Sequence, residues 1–150
     1  IPMIGWTTRL GPKRARLWSF SVRKYGPQQK VDPEGLSDAG NGKRPDGSDI
    51  VGNDPRDAND PADIAHYRPW IAQMARTFGG IPYYLLDNEP GLWHVTHRDV
   101  CPVGVRTDDL LERMRRTAQA IKEIDPKAKV CGPEEWGWTG YLHSGYDAQW

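Results

Sequence analysis

The chain has 150 residues, a length that suits one ordinary domain, and its 20 lysines and arginines are balanced by 20 aspartates and glutamates. This balance argues against a nucleic-acid partner or an anionic membrane surface, because both attract a basic excess. No apolar run approaches the roughly 18 residues of a membrane-spanning helix, so we expect no transmembrane segment. The opening residues IPMIGW contain no targeting signal and resemble a buried strand, so we expect an internal fragment of a longer protein.

The aromatic residues favour a binding surface over a purely structural core. The chain has 7 tryptophans and 6 tyrosines but only 2 phenylalanines. Trp and Tyr carry a polar group on a large flat ring, which suits half-exposed surfaces. Cys101 and Cys131 are too few for a disulfide framework, so a bond between them is the less favoured alternative and the redox compartment stays open.

The first part of the chain is poor in regular structure. Residues 1–6 form an apolar run typical of a short buried strand. The alternating sequence SFSVRKYG, which starts at Ser19, predicts a second short strand. Residues 31–61 form a long irregular segment, and loops of that length are usually functional or disordered. The basic cluster in the preceding loop is interpreted as a solvated surface; it consists of Lys13, Arg14 and Arg16.

A first helix follows the long loop. Asn59 or Asp60 is predicted to cap it, and Pro61 suits its first position. Its apolar residues recur at helical spacing up to Gly79, where the helix should end. Pro69 lies inside this pattern and should kink or divide the helix.

The second half alternates strands and helices. Residues 81–87, IPYYLLD, are an uninterrupted apolar run, as expected for a strand covered on both faces. Thr107 is predicted to cap a second helix that stops at Asp125, and residues 128–134 form a further strand before a final loop. This order predicts an α/β fold with a parallel sheet. Three strands and two helices cannot close a (β/α)8 barrel of about 250 residues, so the chain is either a small α/β unit or, as its abrupt ends favour, a piece of a barrel.

The most informative residues follow the apolar strand directly. Asn88 and Glu89 come just past its carboxyl end, which is the edge where parallel α/β folds place ligands and catalytic groups. Pro90 fixes the backbone immediately after Glu89 and so sets the direction of the carboxylate. Tryptophans are expected on loops at the same edge; they are Trp93, Trp136 and Trp138.

A carboxylate beside flat aromatic faces matches the needs of glycoside cleavage. One carboxylic acid protonates the leaving oxygen, and a second carboxylate stabilises or captures the oxocarbenium-like centre. An aromatic wall favours the protonated acid by desolvating its charged form. Asn88 is placed to hydrogen-bond a ring hydroxyl, most usefully the 2-OH. The alternative interpretation is a polar turn, because Asn and Pro are common in turns.

The sequence resembles glycoside hydrolase family 44 in several stretches that span nearly the whole chain. These are IPMIGW, SFSVRKYGPQ, GNDP at Gly52, YYLLDNEPGLWHVTHRDV and VCGPEEWGW. The resemblance implies a secreted, retaining endo-β-1,4-glucanase acting on cellulose-like glucans or xyloglucan, built as a (β/α)8 barrel with an additional β-sandwich. It implies that Glu89 is the general acid/base after the fourth strand. On the same mapping the chain carries about strands three to five of one catalytic barrel domain, with residues 1–6 as the third strand and Val130 in the fifth.

The resemblance leaves the second carboxylate outside this chain. The family's nucleophile is a glutamate after the seventh strand, which the sequence does not reach. Among the remaining glutamates, Glu112 and Glu123 lie on the polar face of the second helix, and Glu34 has no positional argument. Glu134 or Glu135 ends a strand at the correct edge and is expected to line the cleft, but we do not expect either to be the nucleophile.

Metal sites are weaker alternatives. His94 and His97 could share a zinc ion, but they lack the HExxH pattern, so binding sugar or orienting Glu89 is the favoured role. Catalysis requires no cofactor in this interpretation. A structural calcium in the long loop is the less favoured alternative to ordinary solvated loop acids. The oxygen ligands there are Asp38, Asn41, Asp46, Asp49, Asp54 and Asp57.

Three functional hypotheses therefore stand. The leading one is a β-glucan hydrolase with Glu89 as acid/base and with sugar contacts from Asn88, His97 and the tryptophans, including Trp6 at the end of the first predicted strand. The second is a non-catalytic glucan-binding fragment, since the nucleophile is missing. The third is a metal-dependent hydrolase that uses His94 and His97.

Overall fold

A computed structural model describes residues 1–8, 19–32 and 38–150. The basic cluster at Lys13, Arg14 and Arg16 and the glutamate Glu34 lie outside these residues. The chain divides into two compact units. The larger unit comprises Ile1–Gly5 and Ala62–Trp150, and the smaller unit comprises Trp6–Pro61.

The described elements alternate in type along the chain. In order they are β1 (Trp6–Thr8), α1 (Val22–Tyr25), β2 (Asn59–Pro61), α2 (Ile64–Phe78), β3 (Tyr83–Leu85), α3 (Trp93–Thr96), α4 (Thr107–Ile124), β4 (Lys129–Cys131) and α5 (Gly145–Gln149). Single 310 turns occur at Pro55–Asp57, Pro90–Leu92 and Trp138–Tyr141.

The larger unit is a mixed α/β arrangement. β3 and β4 form a parallel pair, with Tyr84 opposite Val130, and the connection between them contains α3 and α4. Helices α2 and α4 pack against each other, and Arg68 donates to Glu123 across them at 2.8 Å. The predicted parallel α/β pattern is therefore confirmed in this unit.

One apolar cluster joins the sheet to both helices. It contains residues from α2, β3, α3, α4 and the segments outside these elements: Met3, Ile71, Tyr84, Leu86, Trp93, Val105, Ile121 and Ala128. Burial of each large side chain contributes about 1.5–3 kcal/mol relative to exposure. This core lies under the carboxyl end of β3 and supports the residues that follow it.

The smaller unit contains an antiparallel pair that the sequence did not indicate. β1 pairs with β2, with Trp6 opposite Pro61 and Thr8 opposite Asn59. The residues of β2 are polar, so they carry no strand pattern. Between α1 and β2 the described chain is mostly irregular, as the composition predicted.

The predicted strand over residues 1–6 is wrong. Only Ile1 pairs beside β3, where its carbonyl oxygen accepts from Asp87 N at 3.0 Å. The next amides, Met3 N and Ile4 N, donate to the Asp87 carboxylate instead of to a strand. The Asp87 carboxylate thus takes the place of a neighbouring strand as hydrogen-bond acceptor, and residues 1–5 form no regular strand.

The predicted strand that starts at Ser19 is also wrong. The segment forms the one-turn helix α1, because Ser21 Oγ accepts from Lys24 N at 3.0 Å and caps it. Gly26, with φ of 87°, ends the turn. The local serine cap and the glycine therefore outweigh the alternating pattern.

The two long helices were predicted, but they begin at residues other than those predicted. The residues favoured as caps of α2 lie in β2, and Asp63 caps the helix by accepting from Ala65 N at 2.9 Å. The helix runs undivided through Pro69 and ends at Gly79, whose φ of 69° is left-handed as expected of a helix-ending glycine. Thr107 is the first residue of α4 and not its cap.

A strand is confirmed within residues 81–87, but it is limited to Tyr83–Leu85, and its predicted coverage on both faces is not confirmed. Tyr84 is buried, whereas Tyr83 is 57% exposed and Leu85 is 46% exposed. Helices α2 and α4 supply the core on the Tyr84 side of the sheet. Among the residues that the structure describes, the Tyr83 and Leu85 face of β3 is therefore largely uncovered, contrary to the prediction that both faces are covered.

The acidic loop residues of the smaller unit bind protein donors. Asp38 accepts from Ser21 Oγ and from Arg23 N, both at 2.6 Å. Asp57 pairs with Lys24 at 2.9 Å. Within the described ranges, no three His, Cys, Asp or Glu side chains group so as to hold a metal ion. The described residues thus contain no cluster of ligands that would support the calcium hypothesis.

Two further expectations concern the membrane and the cysteines. No helix in the described part of the chain is long and apolar enough to cross a bilayer. Cys101 and Cys131 are both free thiols. Burial raises the pKa of the Cys101 thiol above its ordinary value, which makes it a poor nucleophile.

Candidate active site

The carboxyl ends of β3 and β4 bring two short polar segments side by side. Asn88 bridges to Glu134 in the parallel sense, and Glu89 N donates to Glu134 O at 2.6 Å. Glu89 and Glu135 thus follow neighbouring strands at one edge of the sheet. This is the edge at which the sequence placed the acid/base candidate.

The turn that presents Glu89 has an unusual backbone. Asp87 and Glu89 have φ of 53° and 49°, values that residues with a side chain adopt rarely. Asp87 Oδ1 accepts from Asn88 N at 2.8 Å, and Asp87 Oδ2 accepts from Ile4 N at 3.1 Å. Left-handed residues other than glycine cost about 1–3 kcal/mol and cluster at functional sites. The surrounding hydrogen bonds hold this turn in place.

The residues that follow Glu89 further constrain its backbone. Pro90 is buried and begins a 310 turn, in which Leu92 N donates to Glu89 O at 2.8 Å. Glu89 itself is half-buried, and Asn88 is exposed. A carboxyl group at the surface on a constrained backbone is accessible to a ligand and has a defined direction.

Trp93 does not lie on the surface as predicted. Its side chain is 1% exposed, and its Nε1 donates to Asn88 O at 3.0 Å. Since protein atoms cover both faces of the indole, no sugar ring can stack on it in this structure. The expected direct contact of Trp93 with substrate is therefore corrected: its indole is a buried side chain that donates to the backbone of Asn88.

Trp136 and Trp138 are exposed as predicted, at 70% and 83%. Trp136 lines a cleft of about 390 Å³ together with Glu135, Thr139 and His143. Trp138 lies beside Tyr141, with 6.3 Å between the ring centroids. The combination of an exposed indole with carboxyl, hydroxyl and imidazole groups suits a polar ligand with apolar faces, such as a sugar.

The histidines do not form a metal site in the described chain. His97 is exposed, and its backbone N–H donates to Trp93 O at 2.8 Å. His94 is half-buried, and its Nδ1 is buried without a hydrogen-bond partner among the residues described. Neither belongs to a group of three possible ligands in those residues. The geometry gives the zinc hypothesis no third protein ligand there.

Trp6 belongs to the smaller unit. It begins β1, and the Arg56 guanidinium lies 5.7 Å from the centroid of its ring. Its predicted contact with sugar stays a prediction.

Glu135 is a candidate functional residue that the sequence did not distinguish from Glu134. Its Oε2 is buried and has no hydrogen-bond partner in the described part of the chain. Burial raises the pKa of the Glu135 carboxyl above its ordinary value; the charge of Glu89 adds to the rise, and a backbone hydrogen bond from Gly91 opposes it. The only sequence signal was a Glu-Glu pair at the end of a strand, which does not say which of the two turns inward.

The raised pKa of Glu135 predicts a pH dependence of stability. Above about pH 4.5, its ordinary pKa, the unfolded chain loses this proton while the folded protein keeps it, so the free energy of unfolding should fall as pH rises through the folded pKa. Glu135→Gln should remove this part of the fall. Urea unfolding across the pH range measures it, with exposed Glu134→Gln as the control. Parallel curves for Glu135→Gln and the wild type would contradict the prediction.

Comparisons with known proteins identify the family of the chain. The sequence profile of "Glycoside hydrolase family 44" matches residues 1–149. The chain belongs to glycoside hydrolase family 44. The resemblance predicted from the sequence motifs is thereby confirmed.

Relatives in the family extend well beyond this chain. CelM2, described as a bifunctional glucanase-xylanase protein from a metagenome library, matches 99% of the chain and 30% of its own length, with 45% identity and a TM-score of 0.93. A "Beta-mannanase/endoglucanase A" of Caldicellulosiruptor saccharolyticus is 43% identical over 68 residues, which cover 45% of the chain and 5% of the relative. An "Endoglucanase A" of Paenibacillus lautus is 38% identical over 68 residues, covering 45% of the chain and 10% of the relative.

Proposed function

We propose that the chain is part of the catalytic (β/α)8 barrel of a secreted, retaining endo-β-1,4-glucanase, with Glu89 as general acid/base. The observation that carries the proposal is the position of Glu89, half-buried on a constrained turn at the carboxyl end of a parallel strand pair. In this proposal, both compact units belong to that one domain. The additional β-sandwich and the other strands of the barrel belong to sequence outside this chain.

In this mechanism Glu89 acts in both steps. The Glu89 carboxylic acid first donates its proton to the glycosidic oxygen, so that the bond from the anomeric carbon to this oxygen breaks as a second carboxylate attacks the carbon. The Glu89 carboxylate then takes a proton from water, and the water oxygen displaces the second carboxylate from the anomeric carbon. The second carboxylate is proposed to lie outside this chain.

The neighbouring residues bind and orient the sugar. Exposed Asn88 is proposed to hydrogen-bond the 2-OH of the ring whose bond is cleaved, and Trp136 and Trp138 present indole faces to pyranose rings. His97 is exposed and is proposed to contact substrate hydroxyls. Trp93 supports Asn88 from below through its Nε1 hydrogen bond to Asn88 O.

The names of the relatives support a β-linked polysaccharide substrate. One relative is named an endoglucanase, another a mannanase/endoglucanase and the third a glucanase-xylanase. Cellulose-like glucan is the substrate proposed here, and xyloglucan is its variant with side branches. No cofactor takes part in the proposed reaction.

Product stereochemistry tests the proposal. The full-length protein is incubated with a soluble β-1,4-glucan, and proton NMR follows the anomeric signal of the new reducing ends. We expect the β-anomer to appear first, because two displacements at one carbon retain its configuration. A first product of α configuration, or no hydrolysis of any β-1,4-glucan, would contradict the proposal.

A further inference from the structure

We infer that Glu135 is a positioning residue whose carboxyl group joins the turn that carries Glu89 to the loop that carries Trp136 and Trp138. The inference rests on the proposed function, since it assigns a purpose to the alignment of these two parts of the site. It starts from the backbone, where Glu89 N donates to Glu134 O at 2.6 Å. That contact places the Glu135 side chain next to the turn after Glu89.

Two glycines create the space for the Glu135 carboxyl. A Cβ added at Gly140 would lie 2.4 Å from Glu135 Oε2, and one added at Gly91 would lie 3.3 Å from it. Gly91 belongs to the 310 turn directly after Glu89, and Gly140 belongs to the 310 turn that begins at Trp138. The carboxyl therefore sits between the two turns, and any larger residue at 140 would displace it.

Burial and the charge of Glu89 raise the pKa of the Glu135 carboxyl, whereas a backbone hydrogen bond from Gly91 lowers it. Glu135 Oε2 is buried without a partner in the residues that the structure describes, and the carboxylate of Glu89 is close enough to oppose a second negative charge. His143 and Asp147 line the same cleft. The Glu135 side chain fills the space between the two turns, at a position where a second negative charge beside Glu89 is disfavoured.

Hydrogen exchange tests the link in a way that does not depend on catalysis. Glu135→Asp withdraws the carboxyl by one methylene, and we expect it to speed exchange of the amides at Gly91 and Gly140 by about tenfold or more, since these turns open locally. Glu135→Gln keeps the shape and should stay near the wild type. Unchanged amides in α2 and α4 show that the variant folds.

Glycine substitutions provide a second, matched pair for the same measurement. Gly140→Ala should reproduce the effect of Glu135→Asp, because its methyl carbon would lie 2.4 Å from Glu135 Oε2 and would force the carboxyl to move. Gly137→Ala is the control, since an added Cβ there meets nothing within 4 Å. Equal exchange in Glu135→Asp, Gly140→Ala and the wild type would overturn the inference.

Kinetics of the full-length protein then distinguish positioning from a merely structural role. We expect Glu135→Asp to lower kcat by about 100-fold with a smaller change in KM, as misplacement of a catalytic group does. Glu135→Gln should restore most of the rate. When Glu89 is already Gln, adding Glu135→Asp should cost less than about threefold, because no acid remains to be positioned.

The outcomes separate the two proposals. Full activity of Glu89→Gln contradicts the proposed acid/base role but leaves the exchange result at Gly91 and Gly140 valid. A kcat of Glu135→Asp within about threefold of the wild type, or full additivity with Glu89→Gln, contradicts the positioning role even when Glu89 is the acid.

Discussion

Glu89→Gln in the full-length protein should lower kcat on unactivated β-1,4-glucan by about 10²–10⁴-fold, the usual contribution of a general acid/base. The amide has nearly the same shape and cannot donate the proton that the leaving sugar oxygen requires. On a substrate with a nitrophenyl leaving group, which needs no protonation, formation of the covalent intermediate should remain fast. Steady-state rates on both substrates, together with the pre-steady-state burst of nitrophenol, measure the difference.

The neighbouring carboxyl groups give controls for Glu89→Gln. Glu134 is exposed in the segment that follows β4, and Glu134→Gln keeps its backbone contact with Glu89 N. We expect this variant to hydrolyse glucan within about twofold of the wild type, because a solvated surface charge contributes little to the chemical step. Equal losses in Glu89→Gln and Glu134→Gln would mean that the acid/base assignment is wrong.

Trp93→Ala should lower the free energy of unfolding by about 3–5 kcal/mol, the usual cost of removing a fully buried aromatic side chain. Trp93 is 1% exposed and belongs to the core cluster of the larger unit. Trp93→Phe should cost about 1–2 kcal/mol, since it keeps much of the apolar contact but removes the Nε1 donor from Asn88 O. Urea unfolding followed by far-UV circular dichroism measures both.

Exposed tryptophans are the controls for this stability effect. Trp138 and Trp150 are each 83% exposed, and their replacement by Ala should change the free energy of unfolding by less than about 0.5 kcal/mol. A Trp93→Ala variant as stable as Trp138→Ala would show that the indole is not buried in solution.

The location of the candidate acid was predictable from the sequence, whereas its surroundings were only partly so. A strongly apolar run followed by Asn88 and Glu89 is enough to place these residues at the carboxyl edge of a sheet, because parallel strands end there in register. The same rule also brought Trp136 to the correct edge. These are local features that depend on one strand each.

Burial at the site was not predictable, since it depends on residues distant in the sequence. Trp93 and Trp136 are both loop tryptophans in sequence, yet only Trp93 is covered, by core residues that include Ile71 and Ile121. Glu135 owes its enclosure to Gly91 and Gly140, which meet only after folding. Sequence patterns show periodicity along one segment and do not show contacts between residues that are distant in the sequence.

The two wrong strands have local causes that a pattern of apolar residues cannot capture. At Ser21 a hydroxyl group captures a backbone amide and starts a helical turn. Near Ile4 the Asp87 carboxylate takes the amides that a strand would have paired. In both cases a polar side chain accepts the hydrogen bond from a backbone amide that would otherwise have paired with a neighbouring strand.

The turn at Asp87 also has a consequence for mutational robustness. Its carboxylate is held by main-chain amides of Met3 and Ile4, which every amino acid except proline supplies. Side-chain variation at these two positions therefore leaves the anchoring donors intact. Because Met3 belongs to the core cluster and Ile4 packs against it, apolar replacements of similar size are the ones that keep both the anchor and the packing. Proline at position 4 is the substitution that deletes such an anchor outright.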